Sequence, residues 1–585
     1  MAEKKFFLTA AIDFGTTYSG YAFQLTSDYE PKDPTKKILC PQSWNEGTTK
    51  LTSMKTPTCL LLDRNKDIDS FGYVAEDKYA ELCMDGDNKS WYFFRRFKME
   101  LHDTKGLKKT TMLTDETGKQ LQALTVFSKS IECLTQHLFQ MLADQKINVN
   151  KSAIKWVLTV PAIWDDTAKG FMKKAAKWAG IPKENLTIAL EPEAASLFCQ
   201  YLPVERFNMG GKSGFGDAKP GTTYMILDLG GGTADITVHE KISTGKLKEV
   251  HRASGGPWGG TAVDGAFIQL LSQTVGGPVF KAFMNDHRYD YIELMREFEM
   301  VKRNVSADTK DLVKIKLPVS LNETCIAMVK KDFLTLVKQA KKDKQISFAG
   351  DKSKFDPEVI RNLFRKVTDK IVAHMKKILD DTPQGKKVSL ILMVGGFSES
   401  AFVQDVIKKE FHEKKGRKVL IPRDAGICVV QGAVVYGKQP GNIASRILKV
   451  TYGAKLSLPF NPKIHDKKKK YDCDGTERCA DIFGEFIHAD TEVQADQVLN
   501  ETYHTVRPYQ GDTTLVIYTS NQNRTNYVDE SGCTKLGELV VKIPNPSEEI
   551  RDIAVEYIFG DTELHVRAFE AKDKIPCKAS LKLLA

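Results

Sequence analysis

Residues 226–237 read ILDLGGGTADIT, and this stretch decides how the rest of the chain is interpreted. An apolar run leads into Asp228, three glycines and Thr233 follow, and apolar alternation then resumes. The pattern predicts a strand, a tight glycine turn and a returning strand. Glycine lets such a turn approach phosphate oxygens closely, and the exposed N–H groups of the turn bind anions. Asp228 would face the same point and could hold a hydrated Mg²⁺, whereas an ordinary glycine-rich hairpin is the alternative.

A second copy of this pattern lies near the start of the chain. Residues 11–18 read AIDFGTTY, in which an apolar strand again leads into an aspartate, Asp13, and then into Gly15 and two threonines. Two such hairpins far apart in one chain indicate a duplicated domain that closes on a single nucleotide from both sides. A chance pair of solvent-exposed hairpins is the alternative.

Length and composition indicate a soluble protein of several domains. The chain has 585 residues, 42% hydrophobic and 27% charged, and should form about three or four domain-sized units. The formal net charge is +10, and the densest basic run, residues 467–470, has no interleaved aromatic residue. That run is typical of a solvated loop, so no nucleic-acid partner is expected.

Cysteine usage and hydropathy bear on the compartment. Most of the 11 cysteines are scattered within apolar segments, which favours a reducing environment. The closest pair, Cys473 and Cys479, lacks the spacing of a zinc-ligand pair. The sequence shows no apolar run of membrane-spanning length, and its N-terminus reads as a first strand rather than a signal peptide. We expect a cytoplasmic protein, with the nucleus as a second compartment.

Two further segments carry candidate site residues. Glu191 directly follows a predicted strand over 187–190, at the end of the strand where α/β sheets place their chemistry; a helix-capping role is the alternative. A predicted helix over 291–306 places Glu299, Lys302 and Arg303 on one face. Such a face could clamp a ribose and an adenine, with Arg303 on the ring, but the spacing alone favours a solvated ion-pair face.

A third segment brings backbone towards a ligand. Residues 389–394 predict a buried strand that leads to Gly395 and Gly396, and a helix is expected to start near Glu399 with Ser398 as its cap. In α/β folds a strand, a glycine turn and a helix start commonly approach a bound ligand.

The composition changes after residues 439–441, where period-two alternation replaces helical periodicity. Strands are predicted at 513–518, 536–543, 553–559 and 563–568, with a hairpin turn at Gly560 and Asp561. This part should form a separate β-sandwich that leaves no room for a helical lid.

Two enzyme motifs are incomplete. Residues 211–213 read GKS, but Arg206 stands where a P-loop requires its first glycine. Residues 396–400 read GFSES and lack the final glycine of a nucleophile elbow. Neither a P-loop nor a serine hydrolase is predicted.

The two hairpins, LTVPAIW at 158–164, LEPEAAS at 190–196 and MVGGFS at 393–398 occur in this order. Together they resemble the actin-like ATPase domain of the seventy-kilodalton heat-shock chaperones, and the missing hydrophobic linker looks most like the divergent twelve-type branch. The resemblance implies an α/β fold: a duplicated actin-like (ribonuclease-H-like) ATPase domain of two lobes over 1–440, followed by a C-terminal β-sandwich over 441–585. The lobes would span about 1–221, with an insertion at about 40–121, and 222–440, with an insertion at about 266–354.

The resemblance also implies roles for matching residues. Asp13 and Asp228 would hold Mg²⁺ through its waters, and Glu191 and Asp235 would orient the attacking water beside Thr233. The nucleotide would be contacted by Gly15, Thr16, Thr17, Tyr18, Gly230, Gly231, Gly232, Thr233, Gly259, Gly260, Glu299, Lys302, Arg303, Ser306, Gly395, Gly396, Ser398 and Asp424.

Three departures from the family pattern stand out. The family's catalytic lysine should fall near Glu76, where only Lys78 could substitute, and Ala234 stands where the family has phenylalanine. The leucine-rich interdomain linker is replaced by KQPGNIASRILKV at 438–450, which puts coupling between nucleotide and sandwich in doubt.

The expected function is that of an ATP-binding chaperone-like protein of the stress response, using ATP or ADP and Mg²⁺. Closure of the lobes, with slow hydrolysis of ATP to ADP and phosphate, would act on a sandwich that binds protein partners or client segments. A nucleotide-sensing adaptor without turnover is the alternative, and a sugar kinase on the same fold is a further one.

Overall fold

A computed structural model describes residues 6–41, 44, 53–103, 107–208, 214–342, 345–349, 352–473, 475–543, 546–559, 564–570 and 579–582. The GKS stretch at 211–213 and the turn predicted at Gly560 and Asp561 lie outside these residues. None of the helices in the described ranges is both long enough and apolar enough to cross a bilayer.

The first half of the chain is built on a five-stranded sheet in the order β10-β9-β1-β2-β3. Strand β1 is antiparallel to β2 and parallel to β9, and β10 is parallel to β9. The strands are β1 (Leu8–Phe14), β2 (Tyr18–Leu25), β3 (Thr56–Pro57), β4 (Cys59–Leu62), β5 (Ile68–Phe71), β6 (Tyr92–Arg95), β7 (Met112–Thr114), β8 (Gln120–Gln122), β9 (Ile154–Val160) and β10 (Leu186–Leu190). The helices are α1 (Tyr73–Asp85), α2 (Glu100–Asp103), α3 (Ala123–Asp144), α4 (Asp166–Trp178) and α5 (Glu191–Cys199).

The second half repeats this sheet, in the order β13-β12-β11-β17-β18 and with the same mixture of parallel and antiparallel pairs. The strands are β11 (Thr223–Leu229), β12 (Ala234–Ser243), β13 (Lys246–Gly256), β14 (Val313–Lys316), β15 (Ile346–Ala349), β16 (Lys352–Phe355), β17 (Leu390–Val394) and β18 (Lys418–Leu420). The helices are α6 (Gly260–Val275), α7 (Gly277–Asp286), α8 (Arg288–Asn304), α9 (Val319–Val329), α10 (Phe333–Gln339), α11 (Pro357–Asp381), α12 (Pro383–Lys386), α13 (Ala401–Ile407) and α14 (Cys428–Lys438).

Two helices pack between the two five-stranded sheets and contact each other. Helix α14 packs on β1 and β9 of the first sheet, whereas α5 packs on β11 of the second sheet. The two helices touch at Gly432, where a Cβ would overlap the Ala194 carbonyl oxygen. This crossing holds the carboxyl ends of β1 and β11 opposite each other.

From residue 441 onward the described residues form strands and single 3-10 turns but no α-helix. A six-stranded sheet, β21-β22-β20-β25-β26-β29, lies over a three-stranded sheet, β24-β27-β28, and buries a shared core that includes Ile517, Leu539 and Tyr557. The strands are β19 (Ser445–Ile447), β20 (Thr451–Pro459), β21 (Lys470–Cys473), β22 (Thr476–Ile487), β23 (Glu492–Gln494), β24 (Val498–His504), β25 (Asp512–Ser520), β26 (Cys533–Lys542), β27 (Asp552–Ile558), β28 (His565–Glu570) and β29 (Ala579–Lys582).

The predicted mixed α/β class is confirmed, and one local prediction is wrong. A single 3-10 turn, Gly396–Glu399, follows β17, and α13 begins only at Ala401. Ser398 does not cap this helix, because its hydroxyl donates back to the Val394 carbonyl at 2.6 Å.

Candidate functional site

A cavity of about 470 Å³ lies where the carboxyl ends of the two central sheets face each other. It is lined by both predicted hairpins, by the start of α5 and by α8. The predicted site residues that line it are Asp13, Gly15, Thr16, Thr17, Tyr18, Glu191, Asp228, Gly230, Gly231, Gly232, Thr233, Gly260, Glu299, Lys302, Arg303, Gly395, Gly396 and Asp424. The structure therefore brings most of the predicted residues into one space of a size that suits a nucleotide-like ligand.

Four predicted residues lie behind this lining. Asp235 is buried and accepts a hydrogen bond from the Ile163 N–H at 2.9 Å. Gly259 packs under the second glycine turn, the Ser306 hydroxyl lies 3.2 Å from that of Thr309, and Ser398 is fully buried. These residues can support the cavity, but none of them lines its surface.

The two glycine turns touch each other. A Cβ on Gly231 would overlap the Thr17 side chain, and one on Gly232 would lie 2.6 Å from Thr16 Oγ1. The start of α6 packs against the same turn, with the Thr261 N–H donating to the Gly231 carbonyl at 2.8 Å. Only glycine permits this approach, which leaves a concave backbone surface between the hairpins.

Four carboxyl groups converge where the carboxyl ends of β1, β10 and β11 lie near the start of β12. Asp13 lies near the end of β1, Glu191 follows β10, and Asp228 on β11 lies directly opposite Asp235 on β12. Asp13, Asp228 and Asp235 are each at most 5% exposed. Gly395 adopts φ 84° and has no side chain, which allows its backbone to pass directly over the Asp228 carboxylate.

Burial and neighbouring charges shift the pKa values of these acids. Burial, followed by the charges of Glu191 and Asp235, raises the pKa of Asp228 well above its usual range. Burial also raises the pKa of Glu191 to about 7, although Lys98 opposes this shift. Burial alone would raise the pKa of Asp13, but Lys55 outweighs that effect and the pKa is lowered. The group thus mixes ionised and readily protonated acids near neutral pH.

Two lysines that the sequence interpretation missed line the same cavity. The Lys55 ammonium lies 2.5 Å from Asp13 Oδ2, and the Lys98 ammonium lies 2.9 Å from Glu191 Oε1. The prediction that the family's catalytic lysine falls near Glu76 gains no support, because Glu76 is paired with Arg296 at 3.2 Å, Lys78 is paired with Asp69, and neither residue lines the cavity. Lys98 follows the aromatic strand β6 and is only 3% exposed.

At the opposite end, the charged face of α8 lines the cavity rather than facing only solvent. Glu299 accepts from both Lys302, at 2.6 Å, and Arg303, at 3.0 Å. The Arg303 guanidinium lies 5.5 Å from the centre of the Tyr18 ring. This flat, partly exposed guanidinium beside a carboxylate could stack on a heterocycle and bind its polar edge.

The residues present suit a hydrated divalent cation at Asp228. Asp228 Oδ2 is buried and has no hydrogen-bond partner in the structure, so this oxygen can accept a hydrogen bond or bind a cation. Within the described ranges, no three His, Cys, Asp or Glu side chains are grouped to hold a metal ion directly. Mg²⁺ usually keeps several waters and uses one or two carboxylates together with substrate phosphates, which fits this sparse set.

Comparisons with known proteins find related sequences along the whole chain. A family model described as "Hsp70 protein" matches residues 97–444. Heat shock 70 kDa protein 12A of Mus musculus is 30% identical over 636 residues, which covers 100% of this chain and 92% of that protein. Heat shock 70 kDa protein 12B of Homo sapiens is 31% identical over 644 residues, with the same coverage. Chaperone protein DnaK of Mycoplasmopsis pulmonis is 23% identical over 339 residues, or 57% of this chain and 48% of that protein.

Proposed function

The chain belongs to the Hsp70 family, with the twelve-type proteins matching it over its full length, and from that premise we propose that it binds ATP and ADP with Mg²⁺ in the central cavity and hydrolyses ATP slowly. The observation that carries the proposal is the meeting of two glycine turns, from separate halves of the chain, around a cluster of buried acids. Backbone donors and nearby cations are what a triphosphate requires.

We propose that the two central sheets are the lobes of a duplicated actin-like domain over 1–440. Their identical strand order and the crossing of α5 and α14 support this assignment. Ligand binding across the cavity would then draw the lobes together, because each lobe contributes one of the two turns. The β-rich part over 441–585 is proposed as a partner-binding sandwich.

Each residue in the cavity has a proposed task. The backbone of both turns would hold the phosphates, and α8 would hold the adenosine through Glu299 and Arg303. Asp13 and Asp228 would hold Mg²⁺ through its waters, and that ion would neutralise charge on the phosphates when bound. Glu191, with its pKa raised to about 7, can accept a proton from a water near neutral pH. Lys98 beside it would stabilise negative charge that develops on a phosphate.

The linker contacts support communication with the sandwich. The Arg446 guanidinium donates twice to the Glu193 carboxylate, at 2.8 Å for each bond, only two residues beyond Glu191. Lys449 donates to the Ala162 carbonyl, next to the Ile163 N–H that holds Asp235. We therefore propose that polar contacts replace the leucine-rich linker of the family in coupling the cavity to the sandwich.

Calorimetric titration of the full chain with Mg-ATP and Mg-ADP tests the proposal. We expect binding by the unmodified chain, and a loss of about threefold to fivefold in Mg-ATP affinity for Asp228→Ala, since this carboxylate would act on the phosphates only through the metal ion and its waters. Asp69→Ala is the matched control, because this carboxylate pairs with Lys78 outside the cavity lining. Equal affinity for the unmodified chain and Asp228→Ala would contradict the assignment.

The ion pair between Lys55 and Asp13 favours a second candidate, a nucleotide-sensing adaptor without turnover. If Lys55 holds Asp13 away from the reaction, ATP would bind and remain intact. Single-turnover phosphate release separates the two candidates: release that disappears in Glu191→Gln supports hydrolysis, and intact ATP after prolonged incubation supports the adaptor. A sugar kinase gains no specific support from the described residues.

A further inference from the structure

We infer that the Lys55 ammonium takes over part of the role of Mg²⁺ at Asp13, so that this chain binds a nucleoside triphosphate with little dependence on divalent metal. The inference rests on the proposed function, because it concerns the same cavity. It goes further by predicting that Mg²⁺ contributes less to nucleotide affinity here than in a site where the metal ion alone joins carboxylate and phosphate.

The ion pair leaves Asp13 with few free lone pairs. Lys55 Nζ lies 2.5 Å from Asp13 Oδ2, and the Thr159 hydroxyl donates to Asp13 Oδ1 at 2.9 Å. The Lys55 and Asp13 side chains are 17% and 7% exposed, so solvent screens their attraction only weakly. A hydrated metal ion would have to compete with both donors to reach this carboxylate.

The backbone around Lys55 holds the lysine in place. The residue directly precedes β3, which pairs with β2 through Ser19 and Thr56. The Thr58 N–H donates to the Thr17 carbonyl at 2.8 Å, which ties this segment to the first glycine turn. Gly20 makes room for it, because a Cβ there would lie 2.9 Å from Lys55 Cγ and 3.1 Å from the Met54 carbonyl oxygen. Lys55 is thus anchored beside the phosphate-binding turn rather than carried on a free loop.

An ammonium group can perform the bridging task of a metal ion at this position. It is a compact charge with three donors, of which one is directed at Asp13. The other two can donate to phosphate oxygens held at the adjoining glycine turns. Lys98 is paired with Glu191 rather than with Asp13, so it does not take the place of a metal ion at Asp13. Asp228 still lacks a partner for Oδ2, so Mg²⁺ can add to the affinity from that side.

The test measures ATP affinity by calorimetry, in excess Mg²⁺ and again in excess EDTA. The proteins are the unmodified full chain, Lys55→Met, Lys55→Arg and the control Lys36→Met, whose lysine forms an exposed pair with Glu30 at 2.6 Å. Thermal melting of each variant without nucleotide checks its fold.

We expect chelation to weaken ATP binding by less than about fivefold in the unmodified chain, in Lys55→Arg and in Lys36→Met. In Lys55→Met the loss on chelation should exceed about fiftyfold, because a charged bridge worth about tenfold to a hundredfold is then missing.

If EDTA lowers the ATP affinity of the unmodified chain by more than about fiftyfold, the inference is wrong. This measurement uses no substitution, so a folding defect in a variant cannot explain its result. Weak metal dependence that persists in Lys55→Met would overturn it as well. Tighter ATP binding by Lys55→Met in both conditions would instead show that Lys55 blocks the site. Absence of ATP binding by every protein in both conditions would refute the proposed function itself.

Discussion

At Gly231 the two halves of the cavity come within contact distance, so a single methyl group there should disturb nucleotide binding. A Cβ would overlap the Thr17 side chain, which lies in the other hairpin. We expect Gly231→Ala to lower ATP affinity by about tenfold or more, since the turns must separate to accept the methyl group.

Gly265→Ala in α6 is the control, because a Cβ there meets nothing within 4 Å. It should leave affinity unchanged and raise the free energy of unfolding by about 0.5–1 kcal/mol. Unchanged affinity in Gly231→Ala would show that the contact is not part of the binding surface.

The raised pKa of Glu191 leads to a prediction of how the rate of the proposed ATP hydrolysis depends on pH. Burial raises its pKa to about 7, and only the ionised carboxylate can accept a proton from water. The single-turnover rate should therefore rise as pH increases from 6 to 8 and level off above the pKa. Glu191→Gln should be slow at every pH and lose the inflection. ATP affinity measured at the same pH values separates chemistry from binding, and a rate that falls with rising pH would contradict the role.

At the residue scale, the repeated motif predicted Asp13, Asp228 and the glycine turns because their spacing is local. The lysines could not be found in this way. Lys55 reaches Asp13 only because β3 pairs with β2, and Lys98 reaches Glu191 from a segment that lies 93 residues earlier in the chain. Such pairings depend on tertiary contacts that leave no periodic trace in the sequence.

At the element scale, the small sheet β14-β16-β15 has an unfavourable charge pattern. Its register places Lys314 directly opposite Lys354, and Lys316 opposite Lys352. Like charges directly opposite each other destabilise a sheet, so Lys354→Glu should raise the free energy of unfolding by about 0.5–1 kcal/mol. Lys542→Glu is a matched control with the opposite sign, because Lys542 lies opposite Asp512 and pairs with it at 2.9 Å. Denaturant unfolding measures the free energy of unfolding of both variants and of the unmodified chain. A lower value for Lys354→Glu than for the unmodified chain would contradict the prediction.

Periodicity located the long helices and missed the short elements. Apolar residues recur at helical spacing over 125–143 and 357–379, which predicts helices there, and both segments lie within the helices α3 (Ala123–Asp144) and α11 (Pro357–Asp381). The sequence over 40–121 and 310–351 shows no regular period and predicts less regular structure, yet the described residues of these segments include β4–β6 and α9. Strands of about four residues take their stability from partners distant in sequence, and α9 has too few turns for a clear apolar stripe.

For the whole molecule, the change in composition after 439–441 located the transition to β structure, since alternation in strands is a local signal. The docking of the linker could not be read from KQPGNIASRILKV. It depends on charged partners in other elements: Glu193 in α5 for Arg446, Glu249 in β13 for the Ile447 N–H, and Asp166 in α4 for the Tyr452 hydroxyl.

The buried pair of Arg446 and Glu193 leads to a prediction about the assembly of the two parts of the chain. Arg446 is 8% exposed and Glu193 is 2% exposed, and both carboxylate oxygens accept from the guanidinium. Arg446→Met leaves a buried carboxylate without its guanidinium, which typically costs about 3–5 kcal/mol. Separation of the β-rich part from α5 lets water reach Glu193, so undocking is the expected response.

Limited proteolysis between residues 438 and 450 should therefore be faster in Arg446→Met than in the unmodified chain, and small-angle scattering should give a larger radius of gyration. Glu193→Gln combined with Arg446→Met removes the unpaired charge and should restore much of the protection. Arg551→Met is the control, because this arginine pairs with buried Glu570 at 2.7 Å entirely within the C-terminal part. It should lower the stability of that part without exposing the linker. Equal linker cleavage in both single variants would mean that Arg446 contributes stability but not docking.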